Sequence, residues 1–206
     1  NNPPNVTPPF QNSVGQYTLY ADTVFAGEQV TFSISATDFE YCPGASPPVP
    51  QTINLFAVGA QFGAPINQAG CLNPPCAQLT PTPTWQNPLT GTFGVQTTFN
   101  WQTDCQHLAT NVGCGATSNV YNFLFKVMDN FCPAPGIRYA TVTIVVLTKP
   151  TIPSPPIHCL EVLPGGDVAL SWTEVTDTMN TFDGYHIYAA NSMAGPFVHI
   201  DSIFDI

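Results

Sequence analysis

Between Gln29 and Ala36, apolar and polar side chains alternate one for one: Val30, Phe32 and Ile34 against Thr31, Ser33 and Ser35. No helix gathers that set on one side, because helical neighbours lie three and four residues apart. On a strand the three apolar groups share one face, and that face needs a second apolar layer to cover it. Asn122–Val127 and Ala140–Val145 alternate in much the same way. Strand character also marks Tyr17–Ala21, Ile53–Ala60, Phe93–Trp101, Tyr121–Met128 and Tyr139–Leu147, with turn residues between the runs. The pattern predicts an antiparallel β-sandwich.

Nothing competes with that reading. No stretch has sustained helical periodicity, and the 22 prolines among 206 residues are about twice the usual share. No apolar run approaches the ~18 residues of a membrane span. Only three cations (Lys126, Arg138, Lys149) face thirteen acidic residues, for a net charge of −10. Phosphate binding needs clustered Lys and Arg, so nucleic acid is excluded as a partner, and an anionic membrane surface is disfavoured.

The seven cysteines are the next signal. In a charge-poor, proline-rich chain they read as disulfides of an oxidising compartment. The rival is a zinc site from Cys71 and Cys76 with Cys105 and Cys114, but neither pair has the tight two-residue gap of zinc ribbons. The economical pairing is Cys71–Cys76, Cys105–Cys114 and a long-range Cys42–Cys132. Cys159 is left unpaired within the chain.

The chain divides near its proline-richest point. Residues 1–148 form one expected domain, interrupted by a Pro- and Cys-rich insertion over about 61–92. Residues 149–156 contain four prolines and read as a semi-rigid linker. Strand-like runs then restart at Ile157–Val162, Asp167–Trp172, Gly184–Ala189 and Pro196–Ile203.

Pro155-Pro156, Val168-Ala169-Leu170-Ser171-Trp172, Phe182-Asp183-Gly184-Tyr185-His186-Ile187-Tyr188 and Gly195-Pro196-Phe197 resemble a fibronectin type III module. Such modules run to about 100 residues, so residues 157–206 match its N-terminal half. The resemblance implies that the stop at Ile206 is not a natural terminus and that further strands complete the sandwich. Gly27–Phe32, Ala36-Thr37-Asp38, Thr98–Trp101, Tyr121–Asp129 and Ala140–Val146 resemble the immunoglobulin-like, cadherin-like and PKD-like repeats of bacterial surface proteins. The combination is similar to large secreted adhesins of gliding-type Bacteroidota, exported by type IX secretion. It implies an extracellular, cell-surface repeat protein. Its partners would be other copies or domains of the same protein and extracellular glycans.

The same resemblance implies O-glycosylation at Asp-Ser/Thr-apolar sites, here at Thr23, Thr178 and Ser202. It also brings in calcium: cadherin-like repeats bind Ca²⁺ through acids at strand ends, and Asp38, Glu40, Asp129 and Asn130 follow strands here. Turn formation is the plainer role for these residues. No cofactor is expected otherwise. Trp85, inside the insertion, is the candidate ligand contact, whereas Trp101 and Trp172 belong to strands.

No catalytic residues emerge. His186 and His199 fall in neighbouring strands and could face each other on a wet sheet surface, but no nucleophile elbow, phosphate loop or zinc-protease motif accompanies them. The expected function is therefore a non-enzymatic structural or adhesive segment of a long secreted surface or filament-forming protein. The alternative is a spacer or carbohydrate-binding accessory module of a secreted polysaccharide-degrading enzyme. A self-assembling fibre subunit that trades strands between copies is a third reading.

Overall fold

The structure, a computed structural model, describes residues 2–84, 86–108, 118–150, 152–177 and 182–204. It divides into two units, Asn1–Thr148 and Lys149–Ile206. In the first unit the strands are β1 (Asn5–Thr7), β2 (Phe10–Gln11), β3 (Tyr17–Leu19), β4 (Ala21–Phe25), β5 (Gln29–Thr37), β6 (Tyr41–Cys42), β7 (Val49–Pro50) and β8 (Thr52–Val58). They continue as β9 (Gln78–Thr80), β10 (Leu89–Thr92), β11 (Gly94–Gln102), β12 (Ser118–Asp129) and β13 (Ile137–Leu147). The second unit holds β14 (Ile157–Val162), β15 (Val168–Trp172), β16 (Tyr185–Ala189) and β17 (Val198–Ile203). A single 3₁₀ turn, Cys105–His107, is the helical element among the described residues.

Two sheets build the first unit. One has the order β1-β5-β11-β9 and the other β10-β8-β12-β13-β4. Alternation does what the sequence predicts: Val30, Phe32, Ile34 and Ala36 of β5 are buried, as are Tyr121, Phe123, Phe125 and Val127 of β12. The sheets meet through aromatic rings. Phe99 of β11 stacks on Phe32 at 4.4 Å, and its edge meets Phe123 of the facing sheet at 4.7 Å. Each such buried side chain contributes roughly 1.5–3 kcal/mol. All but one ladder of the two sheets are antiparallel; β4 joins β13 in parallel, Ala21 opposite Thr143.

The chain crosses from one sheet to the other at Phe93. β10 pairs with β8 and β11 with β5, so one residue separates strands of opposite sheets. Phe93 makes the crossing with φ +60, a left-handed conformation that side chains other than glycine rarely adopt.

The insertion is part of the core. Phe62, Ile66, Ala77 and Leu79 are all buried, and Phe62 packs on Phe123 at 5.0 Å. The Cys71–Cys76 disulfide closes the loop between them. Backbone bonds from Leu72 N–H to Ala60 and from Ala77 N–H to Gln61 hold it to the end of β8.

The second unit consists of two hairpins, β14-β15 and β16-β17. In the first, a bulge at His158 shifts the register: Ile157 opposes Trp172, Leu160 opposes Leu170 and Val162 opposes Val168. That extra residue puts all six apolar side chains on one face, which uninterrupted alternation would have split. Trp172 meets Tyr185 of the second hairpin at 5.1 Å, and Phe182 meets Tyr185 at 4.8 Å. Most of the face stays open: Ile157, Leu160, Val162 and Val168 are each more than half exposed.

Candidate functional site

Two buried polar clusters stand out in the first unit. One seats the insertion. His107, at the end of the 3₁₀ turn, is fully buried between Trp101 (4.8 Å between rings) and Tyr121 (5.9 Å). Its Nδ1 accepts the Asp104 N–H at 2.7 Å, so Nε2 carries the proton and donates to the Asn73 carbonyl at 2.9 Å. The Gln61 amide lies 3.1 Å from the same Nε2, and Trp101 Nε1 donates to the Pro75 carbonyl at 2.9 Å. Tyr121 Oη donates to the His107 carbonyl at 2.8 Å. This set binds Asn73 and Pro75, both inside the disulfide loop, to the sandwich. His107→Ala would strand the Asp104 N–H and leave the Asn73 carbonyl with Gln61 Nε2 as its remaining donor among those described. The expected cost is about 2–3 kcal/mol in denaturant unfolding, with faster proteolysis inside residues 61–77.

The other cluster closes one pole of the sandwich. The inward column of β5 continues one step beyond the strand to Asp38, that of β12 ends at Asp129, and that of β8 starts one step early at Gln51. Ladder and loop bonds bring the three to the same end. Asp129 pairs with Ile53, while Asp38 N–H donates to the Phe93 carbonyl (2.9 Å) and Phe93 N–H to the Gln51 carbonyl (3.2 Å). Asp129 is fully buried; its carboxylate accepts the Gly136 and Phe131 N–H groups at 3.0 and 2.8 Å. Gly136 belongs there by necessity, since a Cβ would come within 2.8 Å of Pro3 Cα and 2.5 Å of Asp129 Oδ2. Glu40 Oε1 accepts both the backbone and side-chain N–H groups of Asn2 at 3.2 Å.

Asp38 Oδ1 accepts the Glu40 N–H at 3.0 Å, but Asp38 Oδ2 and both polar atoms of Gln51 are buried with no hydrogen-bond partner. Gln51 is completely enclosed and Asp38 is 8% exposed. Such groups cost about 1–3 kcal/mol each when left unsatisfied. Burial pushes the Asp38 carboxyl above its usual range, and the like charges of Glu40 and Asp129 add to the rise, against the pull of the Glu40 N–H. A carboxyl raised on folding holds its proton more tightly in the folded state, so it lowers stability as pH climbs through the raised value. Asp38→Asn should therefore gain stability relative to wild type as pH rises above about 4, the ordinary aspartate range, read from denaturant midpoints at each pH.

The residues singled out in the sequence fare unevenly. Cys71 and Cys76 are bonded as expected, with Cα atoms 5.4 Å apart. Cys105 is also disulfide-bonded, while its expected partner Cys114 lies outside the described residues. The Cys42–Cys132 bridge is a correction: both are free thiols. Cys42 sits in the short ribbon β6-β7 with its Sγ directed at Asn130 Oδ1 (3.8 Å), and Cys132 is exposed in the loop after β12. Cys159 is an exposed thiol on β14. Thr23 is exposed on β4. Ser202 is half-buried, its hydroxyl held by His186 Nδ1 (2.9 Å) and His199 Nε2 (2.7 Å), whose rings do face each other on the hairpin surface at 5.6 Å. Thr178 and Trp85 lie outside the described residues. Trp101 is core.

Among the described residues no three Asp, Glu, His or Cys side chains gather closely enough to hold a metal ion by themselves. Asp38 and Glu40, expected from the sequence, do share the pole with Asp129 and Asn130, whose Oδ1 accepts the Thr52 N–H at 2.9 Å. Gln51 was not signalled by any motif, although extending the inward column of β8 by one step reaches it. A surface depression of about 240 Å³, lined by Val58, Gly59, Ala60, Ile66 and Asn67, carries no ionisable side chain. No described helix is long and apolar enough to cross a membrane.

No protein-family model matches the chain, and no curated protein is detectably similar to it. Among solved structures it is similar to a family 123 glycoside hydrolase from Clostridium perfringens, at a TM-score of 0.34 and 10% identity, over 64% of this chain and 23% of that one. The chain thus spans less than a quarter of that enzyme's length. A likeness this slight carries no argument about activity.

Proposed function

We propose that this chain is a non-enzymatic structural and adhesive segment of a long secreted cell-surface or filament-forming protein, built of an immunoglobulin-like sandwich followed by fibronectin type III-like strands. The observation that supports this most is the open apolar face of the second unit. A lone two-stranded hairpin is marginal in water, and an uncovered apolar β-surface is a template for more β-structure. Neighbouring domains or copies of the same surface protein are the partners of that chemistry. The oxidised Cys71–Cys76 pair and the oxidised Cys105 fit an extracellular setting, where disulfides limit unfolding. A surface poor in charge and rich in Thr, Asn and Gln suits contact with extracellular glycans and decoration at Thr23, Thr178 and Ser202.

In-frame deletion of residues 1–206 from the native gene tests the reading. Attachment of cells to surfaces should fall while growth on polysaccharides is unchanged. Normal attachment with impaired polysaccharide breakdown would contradict it, and would favour an accessory module of a degrading enzyme.

A further inference from the structure

A bulge builds the histidine-bearing face of the β16-β17 hairpin. His186 opposes Ser202 and Ile187 opposes Asp201, but Tyr188 then opposes His199, with Ile200 as the extra residue. Uninterrupted alternation would set His199 on the opposite face from His186 and Ser202. The bulge instead brings all three, and Tyr188, to one face. Burial does not account for it, since Ile200 is left 60% exposed. Bulges commonly serve to re-aim a side chain at a site. Here the re-aimed nitrogens converge: His186 Nδ1 lies 2.9 Å and His199 Nε2 2.7 Å from the same atom, Ser202 Oγ. One ring packs edge-on against each imidazole, Phe204 against His186 at 5.5 Å and Tyr188 against His199 at 5.3 Å. The hydroxyl has a single proton, so it can donate to only one of the two nitrogens. Both histidines are exposed, so an ion can reach them from water.

We propose that His186 Nδ1 and His199 Nε2 chelate one divalent ion of the zinc–copper class, with the Ser202 hydroxyl and water in the remaining positions. Neutral imidazole suits zinc, copper and nickel, whereas calcium and magnesium take oxygen ligands. Metal–nitrogen bonds of about 2.0–2.1 Å require the two rings to close on the ion. Nitrogens that already share one target close by small rotations of exposed side chains. Two protein nitrogens are fewer ligands than a structural zinc site has, so the site stays open and its affinity lies below that class. Copper binds more tightly than zinc, as it does at nitrogen sites generally. The ion pins β17 to β16 beside the bulge, in a hairpin of a kind that is marginal in water by itself. Metal binding here does not depend on whether the chain is adhesive.

The test uses the whole chain, with the free thiols Cys42, Cys132 and Cys159 alkylated so that sulfur cannot compete, then stripped with EDTA and dialysed. Calorimetric titration with zinc chloride should show one ion bound per chain, and magnesium chloride should give no heat of binding. Copper(II) at one equivalent should give an electron paramagnetic resonance spectrum split by two imidazole nitrogens. His186→Gln and His199→Gln should each weaken zinc binding by at least the roughly tenfold that losing even a supporting partner of a ligand costs. His158→Gln, on the other hairpin, is the control and should bind as wild type does. Far-UV circular dichroism checks that each variant is folded. If one of the paired variants misfolds, the other and the wild-type copper spectrum decide. No zinc binding by wild type, a copper spectrum with a single nitrogen, or undiminished binding in a folded His186→Gln or His199→Gln variant would overturn the proposal.

Discussion

Replacing Phe123 with Ala should lower the stability of the first unit by about 3–5 kcal/mol. The ring has no exposed surface and sits where both sheets and the insertion meet: Phe99 at 4.7 Å, Phe62 at 5.0 Å and Trp101 at 5.8 Å. Three aromatic neighbours, two fixed on β11 and one in the insertion, cannot all collapse into the vacated space, so most of the cavity cost remains. The thermal midpoint should fall by roughly 10 °C. Leu124, next in the chain but on the outer face at 37% exposure, is the control. Its change to Ala should cost under about 1 kcal/mol. Equal losses at the two positions would mean that the sheets do not pack as described.

Gly91→Ala is expected to be nearly as damaging, by about 3 kcal/mol, for a backbone reason. A Cβ at position 91 would overlap the carbonyl oxygen of Gly94, a main-chain atom that cannot rotate away. The two glycines flank Phe93, whose left-handed backbone carries the chain from β10 to β11. Any shift of Gly94 would disturb its register with Thr37 and leave Asp38 and Gln51, both bonded to Phe93, misplaced. Gly44→Ala, where a Cβ would meet nothing but φ is +75, should cost only about 1 kcal/mol. Urea unfolding of the three proteins, followed by far-UV circular dichroism, ranks them. A neutral Gly91→Ala would show that the crossing is not as tight as drawn.

Strands whose period-two pattern is long were legible before any coordinate. The run seen at Gln29–Ala36 is β5, Gln29–Thr37, and Phe93–Trp101 is β11 shifted by one residue, Gly94–Gln102. Burial of one face writes itself into such segments. The short edge strands were not legible: β1 and β9 have three residues each, and what makes them strands is a partner across the ladder rather than their own pattern. Nor was the role of the insertion. Its prolines mask Phe62, Ile66, Ala77 and Leu79, which occupy core positions without regular spacing. The bulge at His158 was equally hidden, because an extra residue breaks alternation in one strand alone.

The pole was half legible. Asp38, Glu40, Asp129 and Asn130 drew notice as acids and amides at strand ends, but Gln51 carries no motif and only the sheet geometry makes it matter. Cysteine pairing followed local distance: the six-residue loop Cys71–Cys76 closes as expected, whereas Cys42 and Cys132 approach the same region yet remain thiols. Sequence separation says little about whether two long-range side chains point at each other.

The central claim is that this is an extracellular structural segment. Intact native cells treated with a membrane-impermeant thiol label, then denatured and mapped by mass spectrometry, test it most directly. The account predicts that the protein is reached from outside the cell, that Cys42, Cys132 and Cys159 take the label, and that Cys71, Cys76 and Cys105 become reactive only after reduction. Labelling that requires cell lysis, with all seven cysteines reactive without a reductant, would contradict it.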